Sequence, residues 1–236
     1  MPSIYCPELT NDSQEVTIQD DEFHHLTHVL RHKIGDIVKL NNGKGILGKG
    51  TITDISKKYA SIEIMELTYS PPNQNTFSIA FSLLRNKNDE WLVEKVTEFG
   101  VKDLFPLTTD FSVRTPSKNT ITRFSNTALS AIKQCDNPYL PTIHNVMPFS
   151  QAIDYIISMG YTIVVASEQK PDKKIIDLPK GLSYCFVIGP EGGFSAEEFS
   201  YFRKKGFVEV SISNLVLRAE TAAIAIAAQY NITSTK

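Results

Sequence analysis

Hydrophobic and polar positions follow two rhythms along this chain, and the change between them divides it. Residues 15–18 alternate in the period-two manner of a short strand. Asp20 or Asp21 then predicts the cap of a helix whose apolar positions Phe23, Leu26, Val29 and Leu30 fall at helical spacing, with Gly35 as its stop. From residue 36 to 67 period two returns with turn punctuation: an apolar run at 37–40, the Asn41-Asn42-Gly43 turn, Gly48 and Gly50, then residues 51–53 and 61–64. This predicts a compact β barrel or meander over residues 1–70. Ser70-Pro71-Pro72-Asn73 is the predicted linker, because consecutive prolines favour an extended chain and exclude helix and central strand.

Beyond it, over residues 74–236, strands and helices alternate. A strand at 77–84 leads to a helix at 89–99, with Leu92, Val96 and Phe99 on one face and Gly100 as its stop. A short strand follows near Leu104, and a helix at 120–135 carries Phe124, Ala128, Leu129 and Ile132 on one stripe. Another helix is predicted with Ser150 as cap and Gly160 as end. The segments 161–166 and 184–188 are apolar on both faces, and a further strand is predicted at 207–212 before an alanine-rich last helix. Strands apolar on both faces and separated by helices predict a parallel sheet covered on both sides.

Composition removes several classes. No apolar run is long enough to cross a bilayer, and no signal-like segment opens the chain. Three scattered cysteines, Cys6, Cys135 and Cys185, without a Cys-x-x-Cys, fit a reducing compartment, so the expected location is cytoplasmic. A net charge of −2 is not that of a generic nucleic-acid binder, so any RNA contact must use locally placed cations. The supply is Arg31, Lys33, Arg85, Lys87, Arg114, Lys118, Arg123 and Lys133.

Two segments carry candidate chemistry. The strand at 184–188 runs into Gly189-Pro190-Glu191-Gly192-Gly193-Phe194-Ser195, where Ser195 and Glu198 predict a capping box for the next helix. A glycine-rich turn between strand and helix lets a ligand approach the main chain, although glycines also serve tight connections that bind nothing. It matches neither the Walker phosphate loop nor the dinucleotide fingerprint. In the second segment, Arg218 and Glu220 flank Ala219 where the alanine-rich helix opens; two charges at a buried mouth are either a structural ion pair or site residues.

Together, five signatures in order resemble the SPOUT superfamily of knotted RNA methyltransferases, and within it the family that methylates N3 of a uridine in 16S ribosomal RNA. They are Val29-Leu30-Arg31 with Gly35-Asp36, Lys95 with Glu98-Phe99-Gly100-Val101, Lys133-Gln134, the 189–194 turn, and Leu217-Arg218 with Glu220-Thr221-Ala222. The resemblance implies a PUA-like front barrel and a trefoil-knotted α/β methyltransferase domain that forms a homodimer. It also implies S-adenosylmethionine as cofactor, held by three loops: Ala166, Ser167 and Glu168; Ile188, Gly189, Pro190, Glu191, Gly192 and Gly193; and Ile212, Leu215, Leu217, Thr221 and Ala222. Arg218 and Glu220 become the catalytic candidates, while Arg31, Lys33, Lys87, Lys95, Arg123, Lys133 and Gln134 become RNA contacts, the pair at 133–134 offered across the dimer. The implied partner is the 16S ribosomal RNA of the small subunit.

The chain departs from the family's pattern in places. Ser213 and Leu215 stand where a glycine and an arginine are common, Gln134-Cys135-Asp136-Asn137 stands for Gln-Ser-x-Arg, and the opening Met1-Pro2-Ser3-Ile4 lacks a frequent arginine. Other features have plainer readings. His24 and His28 have the spacing of a metal pair but no third ligand beside them, so no metal is expected. Trp91 reads as packing, and Lys95 with Glu98 makes, by spacing alone, a surface pair of ~0.3 kcal/mol. Two other functions fit the same residues: a SPOUT enzyme for another RNA or a ribose hydroxyl, and a non-catalytic ribosome-assembly factor. Cofactor affinity separates the last from the enzymes.

Overall fold

The computed structural model describes residues 2–73, 76–169 and 171–234. It divides into two compact units, one of Met1–Pro72 with Leu129–Leu140, the other of Asn73–Ala128 with Pro141–Lys236.

The first unit is a curled five-stranded sheet around β1 (Ile4–Tyr5), β2 (Glu15–Gln19), β3 (Ile37–Asn41), β4 (Ile46–Ile55) and β5 (Tyr59–Tyr69), in the order β1-β3-β4-β5-β2. Only the β1–β3 pair is parallel. Ile4, Leu26, Leu40, Ile52 and Ile62 fill its core. Gly48 and Gly50 lie within β4 and not in turns, a correction to the sequence reading. Gly50 is required by close packing: a Cβ there would stand 2.5 Å from Ile62 Cγ2 and 2.6 Å from Glu63 O, beside a register shift in the β4–β5 pair.

The predicted helix after β2 is also different. α1 (Asp20–His24) is one short segment that widens into a π turn over His25–Val29, where Leu30 N reaches His25 O. The cap is Gln19, and neither aspartate caps through its side chain. One extra residue in the turn rotates Val29 out to 58% exposure, although its spacing placed it on the apolar stripe.

In the second unit the strands are β6 (Phe77–Ser82), β7 (Asp103–Thr108), β8 (Thr142–Ile143), β9 (Met147–Pro148), β10 (Thr162–Ala166), β11 (Tyr184–Ile188) and β12 (Val208–Val210). All pair in parallel, in the order β12-β10-β11-β6-β7-β8, with β9 also on β7. Its helices are α2 (Asn88–Glu98), α4 (Phe149–Ser158), α5 (Ala196–Lys204) and α6 (Ala219–Ser234), with the start of α3 (Thr120–Cys135), whose residues from Leu129 onward belong to the first unit. β6 and β11 are buried along their whole length, as two-sided apolar runs require. The sequence-predicted strand at 207–212 is three residues long, and α4 starts behind Pro148, leaving Ser150 inside the helix.

The last segment of the chain packs back on the sheet. From the sheet edge at β12 it returns so that α6 packs on β6, β11 and α2, while the 3-10 turn Ile175–Asp177 of the β10–β11 connection lies on α6. Ser211 N donates to Lys173 O in that connection. The last helix lies against both the sheet and that connection, the arrangement that the resemblance to knotted methyltransferases leads one to expect. Among the described residues, no helix is long and apolar enough to cross a membrane.

Candidate functional site

β10 and β11 run side by side, with Val165 opposite Val187, so the chain leaves both strands at one edge of the sheet. Ligands of parallel α/β sheets collect at such carboxyl ends. Here three segments enclose a cavity of about 270 Å³. Ala166, Ser167 and Glu168 line it from β10, and Ile188, Gly189, Pro190, Glu191 and Gly193 from β11. Ile212, Leu215, Leu217, Arg218 and Ala222 line it from the passage into α6. Gly192, Thr221 and Glu220 are outside its wall, while Ser213, Val216 and Ala219 belong to it without being among the expected cofactor contacts. Those three are small or apolar side chains inside the same segments, and nothing in residue type distinguishes them.

The glycines of the turn have separate reasons. Gly193 has φ +73°, and a Cβ on it would stand 2.8 Å from Glu168 Oε1. Gly189 faces the turn itself, with Gly193 C at 3.2 Å from its virtual Cβ, and Gly192 faces Phe111 Cβ at 3.2 Å. Behind the turn, the predicted capping box is present: Ser195 Oγ accepts from Glu198 N, and Glu198 Oε2 accepts from Ser195 N at 2.8 Å. Ser195 Oγ also donates to Asp110, and Glu198 Oε1 accepts from Asp110 N. Burial pushes the Glu198 carboxyl above its ordinary value, against the lowering by these two amides.

Arg218 and Glu220 are not paired with each other. Arg218 opens α6, is exposed at the cavity wall, and has no partner for its guanidinium among the described residues. Glu220 is 6% exposed; its Oε1 accepts from Asn88 Nδ2 at 3.1 Å and its Oε2 has no hydrogen-bond partner. Asn88 begins α2, so this bond ties α2 to α6. Next to it, buried Asp89 pairs with Arg114, and Glu90 lies 3.5 Å from Arg123 Nε. Glu191 Oε1 accepts from Arg85 N at 3.0 Å, fixing the loop after β6 to the glycine turn.

The RNA candidates separate by their partners. Lys95 is paired with Glu94 and Glu98, which raise its proton affinity, Arg123 with Glu90, and Lys133 with Glu22 at 2.6 Å. Lys133 also gives its carbonyl to Ser3, which marks it as a tie within the first unit. Arg31, Lys33, Lys87 and Gln134 are exposed, and none of the three cations has a carboxylate partner among the described residues. His24 and His28 stack at 4.6 Å, and no group of three or more His, Cys, Asp or Glu suited to a metal occurs among the described residues.

Residues 71–231 match the family described as RNA methyltransferase domain, and residues 18–65 match RNA methyltransferase PUA domain. Ribosomal RNA small subunit methyltransferase E of Buchnera aphidicola subsp. Acyrthosiphon pisum is 29% identical, covering 95% of this chain and 90% of that protein. The protein of the same name from Bacillus subtilis is 27% identical, covering 92% of this chain and 91% of that one. Among solved structures, Ribosomal RNA small subunit methyltransferase E from Neisseria gonorrhoeae, bound to S-adenosyl methionine, superposes with a TM-score of 0.87 at 24% identity over 98% of each chain. That likeness establishes the fold.

Proposed function

This chain belongs to the RNA methyltransferase family, and on that premise we propose that it transfers a methyl group from S-adenosylmethionine to N3 of a uridine in 16S ribosomal RNA. The observation that carries the reading is the meeting of the three loops in one cavity with Arg218 unpartnered at its wall. The relatives named for small-subunit ribosomal RNA supply the substrate class.

The cavity suits the cofactor in size and charge. About 270 Å³ lies just below the usual range of small-molecule sites, and most of the lining residues are glycine, proline or aliphatic. Glu168 and Glu191 put two carboxylates among its lining residues, which favours a ligand bearing ammonium and sulfonium charge. When bound in this cavity, S-adenosylmethionine would supply an electrophilic methyl group, its bond to sulfur exchanged for one to uracil N3, and would leave as S-adenosylhomocysteine. Nitrogen can attack only after its proton has left to solvent water, so negative charge gathers on the uracil ring. Arg218, permanently protonated and free of carboxylates, stabilises that charge. Glu220 makes no ion pair with Arg218 among the described residues; its buried carboxylate fixes the mouth of α6 through Asn88.

A homodimer built on the second unit completes the reading. Leu215 and Val216, each 77% exposed, and Trp91, 44% exposed, are apolar surface that a second copy covers. Mass mapping of 16S ribosomal RNA from cells with and without the protein tests the function. A single methyluridine should disappear with the protein; a change at a ribose or in another RNA, or none, would refute the assignment. Light scattering should report a dimer at micromolar concentration, and a stable monomer would contradict it.

A further inference from the structure

The loops after β6 and β7 meet the glycine turn at consecutive residues. Glu191 holds Arg85 N, and Gly192 leaves the space that Phe111 Cβ fills. Phe111 is 49% exposed, while the backbone on either side of it is held. Its neighbours fix the loop: Thr109 N donates to Ser112 Oγ at 2.8 Å, Asp110 N to Glu198 Oε1 at 3.1 Å, and Ser195 Oγ to Asp110 Oδ2 at 2.5 Å. The ring is a half-bare plate carried on this held loop at the outer face of the turn.

The other loop places cations beside it. Asn88 N closes onto Arg85 O at 2.9 Å, and Asn86 and Lys87 both take left-handed conformations, φ 53° and 63°. These are the dihedrals of a type I′ turn, in which glycine is usual at the position that Lys87 occupies. The strain persists because Glu191 at one end and Glu220, through Asn88, at the other over-determine the turn. Arg85 and Lys87 are exposed and have no carboxylate partners among the described residues. A half-exposed aromatic face beside unneutralised cations is the combination that binds single-stranded nucleic acid, the ring taking a base and the cations its phosphates.

We propose that Phe111, Arg85 and Lys87 form a subsite for a nucleotide of single-stranded RNA that neighbours the methylated one. The proposal rests on the methyltransferase reading for which nucleotide reacts. Phe111 and Gly192 do not line the cavity, so the stacked base is a neighbour and not the acceptor.

Trp91 is the sole tryptophan, so Trp91→Phe with Phe111→Trp gives a protein whose fluorescence reports on position 111 alone. Titration with a short single-stranded oligouridine should quench it. Adding Arg85→Ala and Lys87→Ala should weaken binding at least about fivefold and lower the salt slope by about 1.4, the counterion release of two single-strand phosphates. With small ribosomal subunits as substrate, Phe111→Ala should raise the RNA KM about tenfold, as loss of one base stack does, with cofactor affinity unchanged and Phe111→Tyr restoring the wild-type value. Absence of quenching, or wild-type KM in Phe111→Ala, overturns the subsite. So does loss of cofactor affinity in that variant, which would make the ring a prop for the turn. Quenching by a wild-type-like protein that transfers no methyl group supports the subsite and removes the methyltransferase reading instead.

Discussion

Asn88 Nδ2 donates to Glu220 Oε1 at 3.1 Å, joining the first turns of α2 and α6 across 132 positions of sequence. It is the sole donor found for that buried carboxylate among the described residues, whose other oxygen has none. Asn88→Ala should therefore cost about 1–3 kcal/mol in chemical denaturation, the penalty of a buried acceptor left unsatisfied. Glu220→Gln should be no less stable than wild type, because it removes a buried charge that no cation offsets. Equal destabilisation by both variants would show that packing, and not the bond, holds this corner.

The glycine turn makes two unlike variants. Gly193→Val demands a left-handed valine and drives its Cβ into Glu168, so cofactor binding followed by calorimetry should be lost. Gly192→Val instead meets Phe111 on the outer face, and cofactor affinity should fall by no more than a few-fold while the ring is displaced. Equal loss in both would mean that the turn moves as one body.

These two glycines also show where reading from sequence stops. An apolar strand, a glycine run and a Ser195/Glu198 capping box are local signals, and they located β11, the turn and α5 closely. Which glycine faces the cavity depends on Phe111, about eighty residues earlier, and no local pattern carries that. The π turn at His25–Val29 was hidden for a related reason: hydrogen bonds widened by one residue keep the same apolar spacing in sequence but turn Val29 outward. Gly48 and Gly50 read as turns because β propensity ignores a neighbouring strand that leaves no room for a side chain. Arg218 and Glu220 were found as an adjacent pair of charges, yet their partners come from α2 or are absent, so their roles were legible only through resemblance.

The thiols should differ sharply in reactivity. Burial pushes the Cys6 thiol up to about 11 and raises buried Cys185 well above its ordinary value, whereas Cys135 is exposed. At about pH 8 a thiol of that kind is roughly one part in a thousand thiolate. Iodoacetamide under native conditions should label Cys135, and the other two only after denaturation, as peptide mapping would show. The folded Cys6 keeps its proton longer than the unfolded thiol does, so its contribution to stability is present below pH 9.0 and is lost as pH rises through about 11. Cys6→Ala should flatten alkaline unfolding over that window. Rapid native labelling of Cys6 would show that the first unit opens readily.

The last prediction concerns what makes the chain a catalyst and not only a binder. Arg218 is the cation that lines the cavity, and its guanidinium has no acceptor of its own among the described residues. Such a group is available to charge that appears only during reaction, since it need not first break an ion pair. Arg218→Ala should leave cofactor affinity within a few-fold and lower single-turnover methylation of small-subunit RNA by about a hundredfold, as loss of one preorganised donor does. Arg218→Lys should recover only part of this, because one ammonium does not reproduce the planar set of donors. Equal loss of affinity and rate would make Arg218 a structural support for α6, and full activity would remove it from the mechanism. The substrate in that assay matters too. Residues 1–70 carry seven basic against ten acidic side chains, so charge alone gives the first unit little hold on bare RNA. Assembled or folded small subunits should therefore be methylated faster than a short uridine-containing oligonucleotide, and an equal or faster rate on the oligonucleotide would refute that preference.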